Sequence, residues 1–122
     1  MEGWIKIHRK MLEWEWYDDI NTKVVFLHLL LTSNHKDKKW HGITIGRGQK
    51  LTSLNHLAKE TKLTEQQVRT SLNKLKLTNE ITIKTTNKYS LITIEKYSDY
   101  QGDEEKNNKQ NNIRNNKQRT NK

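Results

Sequence analysis

Apolar positions near the N-terminus cluster without a clean period: Ile5, Ile7, Met11 and Leu12 are interleaved with Trp4, Trp14, Trp16 and Tyr17. Asp18, Asp19 and Asn21 break this segment, and Asn21 is placed to cap a helix starting near Thr22. In that helix Val24, Leu27, His28 and Leu31 form a stripe at helical spacing, with Val25 and Leu29 beside it. So wide an apolar face predicts a central helix. The polar stretch SNHKDKKWHG ends it in a loop, and Gly42, Gly46 and Gly48 mark turns around the alternation Ile43-Thr44-Ile45.

The following stretch is more regular. Ser53 can cap a short helix with Leu54, Leu57 and Ala58 inward. Thr61-Lys62-Leu63 reads as a tight turn that buries Leu63, and Thr64-Glu65-Gln66-Gln67 has the form of a capping box. The helix it opens carries Val68, Leu72 and Leu75 on one side. Two short helices around a three-residue turn predict a helix-turn-helix. Ile81-Thr82-Ile83-Lys84 and Tyr89 to Ile94 then alternate with period two about a turn at Thr85-Thr86-Asn87. A hairpin directly after the second helix is the order of a winged helix. The expected class is α+β: a winged helix-turn-helix with an N-terminal aromatic extension and a disordered C-terminal tail.

The tail expectation rests on composition. Seven of the sixteen residues from Asn107 to Lys122 are Asn, and Ile113 is the one apolar residue. Such a segment cannot offset the entropy of ordering. The division expected is a domain at 1–102 and a linker or basic arm at 103–122, which suggests that something follows in a longer product.

Charge changes the picture further. The chain of 122 residues has a net charge of +9, and its mean hydropathy of -1.09 is polar for a fully globular chain. Residues 1–35 carry four basic against five acidic residues, whereas residues 50–96 carry nine against four. The excess lies in the middle of the chain and in the tail, where residues 103–122 carry six basic against three acidic, and those segments should face a polyanion. The absence of cysteine excludes disulfides, thiolate metal sites and thiol catalysis. The longest apolar run, Val24 to Leu31, is too short to span a bilayer and contains His28. Without a signal-peptide core at the N-terminus, the cytoplasm is the expected location and no membrane partner is expected.

With Val68 facing the core, Gln66, Thr70 and Asn73 fall on the opposite side of their helix, flanked by Arg69 and Lys74. Major-groove readout uses these types: Arg grips guanine O6 and N7, and Asn or Gln brackets adenine N6 and N7. Gln66, Arg69, Thr70 and Asn73 are the candidate base readers. Lys50, Thr64, Lys74, and Lys84, Asn87 and Lys88 of the hairpin are the candidate phosphate contacts. Equally, a solvated helix face is ordinarily polar, and hairpin tips are commonly rich in Lys and Asn.

Trp4, Ile5, Met11, Leu12, Trp14 and Trp16 have two compatible readings, as a cap on the core or as a self-association surface. His8, His28, His35, His41 and His56 lack metal-ligand spacing, and no motif of phosphate-loop or nucleophile-elbow type occurs. No cofactor, metal or enzymatic activity is expected.

These segments resemble a known family. GWIKIHRKMLEWEWYDD, and the run from VVFLHLLLTSNHKDKKWHG to SLITIEKY, are similar to the N-terminal domain of phage replisome organisers. These are DnaD-like replication initiation proteins of phages that infect Gram-positive bacteria. The most specific blocks are WYDD, NHKDKKW, GQKLTSL and QQVRTSLNKL, and the likeness covers about residues 3–101. It implies a winged-helix domain that binds origin DNA, oligomerises and helps load the replicative helicase through host loader proteins. It also implies an Asn/Lys/Gln-rich linker leading to a second helical domain. The expected partners are double-stranded DNA, further copies of the chain and helicase loaders. The alternatives are a transcriptional regulator with the same domain, or a protein-interaction scaffold.

Overall fold

The computed structural model describes residues 3–101; the expected tail lies outside the described residues. A short 3-10 turn at Arg9–Glu13 leads into α1 (Ile20–Thr32), β1 (Lys38–Trp40), β2 (Ile43–Ile45) and β3 (Gln49–Thr52). Then come α2 (Leu54–Thr61), α3 (Glu65–Leu77), β4 (Ile81–Thr85), β5 (Ser90–Ile94) and α4 (Tyr97–Gln101). The architecture is α+β, with helices against small antiparallel sheets.

The cap of α1 is Asp19 rather than Asn21: its carboxylate accepts from the Thr22 amide at 3.1 Å. The buried face also differs from the expected stripe. It runs through Thr22, Val25, Phe26, Leu29 and Leu30, while Leu31 is exposed. The run from Val24 to Leu31 is apolar almost all round, so periodicity cannot fix which side turns inward. The partners decide it. Val25 and Leu29 are buried with Val68, Leu72 and Leu75 of α3, and Thr22 Oγ1 donates to Ser71 Oγ at 3.3 Å within the core. His28 lies at the rim, paired with Glu60 of α2.

Ser53 caps α2 as expected, accepting from the His56 amide. Leu57 and Ala58 are buried, whereas Leu54 and Leu63 are half-buried against the core. Leu63 is therefore less enclosed than its turn suggested.

The expected loop after α1 contains a strand, β1, which pairs antiparallel with β2. A second strand that periodicity did not show, β3, pairs with β5 so that the larger sheet has the order β3-β5-β4. Ile81, Ile92 and Ile94 of this sheet are buried in the same core as the helices. Each large aliphatic side chain so enclosed contributes roughly 1.5–3 kcal/mol. Gly48 sets the entry to β3. Its amide donates to Asn34 O at 2.7 Å and its carbonyl accepts from Ile94 N at 2.9 Å.

Candidate nucleic-acid interface

Lys62 closes α2 in the left-handed conformation, at φ 65°. The Leu63 amide returns to the Ala58 carbonyl at 3.1 Å, so the chain turns sharply into the next helix. The capping box there is complete: Gln67 N donates to Thr64 Oγ1 at 3.0 Å, and Thr64 N donates to Gln67 Oε1 at 2.9 Å. Its reciprocal bonds fix the start of α3.

Along α3, Val68, Ser71, Leu72 and Leu75 are buried, while Gln66, Arg69, Thr70 and Asn73 are exposed. Positions 66, 69, 70 and 73 form one row along two helical turns, roughly 10 Å of axis. Three of the side chains are linked. Arg69 Nη1 donates to Gln66 Oε1 at 3.1 Å, and Gln66 Nε2 donates to Thr70 Oγ1 at 3.2 Å. The row thus presents a guanidinium, an amide and a hydroxyl already oriented on a rigid element, with Asn73 one turn further on.

The candidate phosphate ligands divide. Lys84 near the end of β4, and Asn87 and Lys88 in the β4–β5 connection, are exposed. That connection is held by the Thr86 amide donating to Tyr89 O at 2.8 Å, while Thr86 Oγ1 accepts from the amides of Lys88 and Tyr89. Thr64 is exposed, with its hydroxyl engaged in the cap. Lys50 and Lys74 are placed otherwise. The Lys50 side chain is only 14% exposed and lies 3.8 Å from Glu60. Lys74 donates to Asp19, and its ammonium sits 5.7 Å from the Trp16 ring centre. Both cations are therefore partnered within the fold. The Lys74 bond, reinforced by the Thr22 cap, holds the Asp19 carboxyl below its usual range despite burial. The His28 bond and the Lys50 charge do the same for Glu60.

The N-terminal aromatic residues also divide. Trp14 Nε1 donates to Glu80 Oε2 at 2.9 Å, and its ring lies 4.9 Å from Phe26. Trp16 Nε1 donates to Thr78 Oγ1 at 2.9 Å. Ile5 and Met11 pack partly buried against the core. Trp4 and Leu12 remain outside, 67% and 66% exposed. Glu80 also accepts from the Tyr100 hydroxyl at 3.1 Å. Burial and the Glu80 charge push that phenol up to about 12, so it stays a neutral donor.

The β1–β2 ribbon, where Trp40 meets the Tyr89 ring of the β4–β5 connection at 6.3 Å, has no counterpart among the expected site residues. The available signal was Trp40-His41-Gly42 between lysines and the Ile43-Thr44-Ile45 alternation. Among the described residues, no group of three or more His, Asp or Glu is placed to hold a metal ion, and no helix is long and apolar enough to cross a membrane. No family model, curated protein or solved structure matches the chain.

Proposed function

We propose that α2, α3 and the β4–β5 hairpin form a winged helix-turn-helix that binds double-stranded DNA, as the DNA-binding module of a phage or prophage replication initiator. The observation that carries the binding is the exposed row Gln66, Arg69, Thr70 and Asn73 on a helix whose opposite side is locked in the core. Amide and guanidinium groups in such a row match the donor and acceptor code of the major groove. With the β1–β2 ribbon inserted between α1 and β3, the order α1-β3-α2-α3-β4-β5, with β5 central in its sheet, fits the winged arrangement. Lys84 and Lys88 then lie on the wing, where cations meet backbone phosphates. The role in replication, at an origin and beside helicase loaders, is supported by the sequence resemblance alone. In this reading copies of the chain associate through Trp4 and Leu12, the expected contact residues that the fold leaves exposed.

The test separates two kinds of contact. Arg69→Ala or Asn73→Ala is expected to cost on the order of 1–3 kcal/mol on a selected duplex site and much less on random duplex. Lys88→Ala should weaken both about equally and lower the salt slope by roughly one. Binding isotherms over a range of salt, on sites selected from random duplex DNA, give both quantities. Uniform loss in all three variants reduces α3 to a phosphate clamp. Unchanged binding in all three, with the fold intact, removes the reading face and favours a protein-interaction scaffold.

A further inference from the structure

Duplex reading by α3 and the wing leaves the β1–β2 ribbon without a use. Its register pairs Trp40 with Ile43, so His41 and Gly42 alone close it, at φ 49° and 78°. Two successive residues at positive φ make the tightest hairpin connection and match the twist of the strands. The backbone next to this turn therefore fixes where Trp40 stands. All three residues of β1 are exposed, and Trp40 keeps 43% of its surface open. Strand alternation puts Lys38 and Trp40 on one side and Lys39 on the other. His41 and Tyr89 meet the indole at 66° and 88°, so neither ring lies flat on it. Tyr89 directly follows Lys88, so the ribbon tip and the wing tip adjoin.

A cavity of about 350 Å³ opens beside Trp40, lined by Lys38, Lys50, Ile45 and Leu51 among others. It brings together the Trp40 indole, the aliphatic Ile45 and Leu51, and the ammonium of Lys38, while Lys50 is paired with Glu60. The acidic residue of this segment, Asp37, is turned aside to accept from the Arg47 amide at 3.1 Å. Lysines alone would suit any phosphate backbone. An indole beside them suits a base whose face is open, because bases stack on aromatic side chains only when unpaired.

We propose that the ribbon and its cavity bind an unpaired DNA strand, with Trp40 stacking on one base and Lys38 and Lys88 holding the flanking phosphates. This site is separate from the duplex-reading row and does not depend on it.

The experiment measures anisotropy of the full chain with labelled oligothymidine of about 15 nucleotides, near the upper site size of one small binding module. An abasic strand of the same length serves as the second probe. The intact chain is expected to favour oligothymidine, and Trp40→Ala to weaken that binding about tenfold, as for one lost stacked base. Abasic affinity should not move, and Trp40→Phe should retain most of the preference. Lys38→Gln with Lys88→Gln, both at exposed positions, keeps the test open should Trp40→Ala fail to fold. This pair should weaken both strands and lower the salt slope by roughly 1.4 for two released phosphate contacts. Equal affinity of the intact chain for both strands overturns the proposal, as does a preference that survives Trp40→Ala in a folded chain, or a salt slope unmoved by the double substitution. Arg69→Ala should leave oligothymidine binding unchanged while losing the duplex site. Failure of duplex binding alone therefore strikes only the reading of α3, and failure of oligothymidine binding alone strikes only the ribbon.

Discussion

Gly48 shows how much one backbone position can carry. It sits at φ 79°, and a Cβ added there would stand 2.6 Å from the Tyr97 Cβ. Two penalties coincide, a left-handed backbone and a clash with a buried ring. Gly48→Ala is expected to cost about 2–4 kcal/mol, read as a fall in the denaturation midpoint. Asp19 carries a different double load, capping α1 and holding Lys74. Asp19→Ala should cost about 1–2 kcal/mol through the lost cap, whereas Asp19→Asn keeps an acceptor and should cost less. The acid limb of stability follows from the same groups. The carboxyls of Asp19 and Glu60 are both held below their ordinary values of 3.8 and 4.5. The unfolded chain therefore takes up protons first as pH falls. Their contribution is complete above about pH 5 and is lost as pH falls through the folded-state values. Asp19→Asn with Glu60→Gln should flatten that limb in denaturant titrations at successive pH values.

At the scale of elements, legibility followed the contrast between faces. α3 was readable because Val68, Leu72 and Leu75 recur against a polar remainder, and its capping box is a local device that needs no tertiary partner. α1 was readable as a helix but not in its orientation. Leu27, His28 and Leu31 were as eligible as Val25, Phe26 and Leu29 until α3 and α2 arrived to choose. The cap is equally ambiguous in the sequence, since three acceptors stand close together at Asp18, Asp19 and Asn21 and only Asp19 meets the Thr22 amide. β3 was invisible because Gln49-Lys50-Leu51-Thr52 has one large apolar residue, and it becomes a strand through pairing with β5. β1 was hidden because it is exposed throughout, so burial wrote no alternation into its sequence. Of the proposed interface, the exposed row on α3 and the β4–β5 hairpin were legible. The ion pairs that occupy Lys50 and Lys74 depend on how separate elements pack, Glu60 of α2 for Lys50 of β3 and Asp19 before α1 for Lys74 of α3. The capping box gives the element-scale prediction: Thr64→Ala should cost about 1 kcal/mol in stability. It should also weaken duplex binding less than Arg69→Ala does, because it loosens the start of α3 without removing a base contact.

For the molecule as a whole, the exposed apolar side chains are unevenly distributed. Trp4, Ile7 and Leu12 all lie open in the N-terminal segment, and Leu31 at the end of α1 is open as well. An apolar cavity of about 350 Å³ borders this region, lined by Ile7, Met11, Trp14 and Leu30 among others. Exposed apolar side chains gathered in one segment mark interaction sites more often than isolated exposed residues do. The aromatic residues thus have separable duties. Trp14 and Trp16 are tied down by Glu80 and Thr78, whereas Trp4 has most of its surface in solvent. If copies of the chain associate here, Trp4→Ala with Leu12→Ala should shift sedimentation at micromolar concentration toward the monomer while leaving the melting temperature nearly unchanged. Trp14→Ala should do the reverse, costing about 3–5 kcal/mol of stability as a large aromatic lost from packed surroundings. Duplex affinity on a single site should survive the first pair of substitutions, because α3 and the wing are untouched. Affinity on tandem sites should fall more steeply, because linked binding events gain from effective concentration only while the copies stay joined. A chain that sediments as a monomer before any substitution, and gains nothing on tandem sites, would assign this patch to another protein.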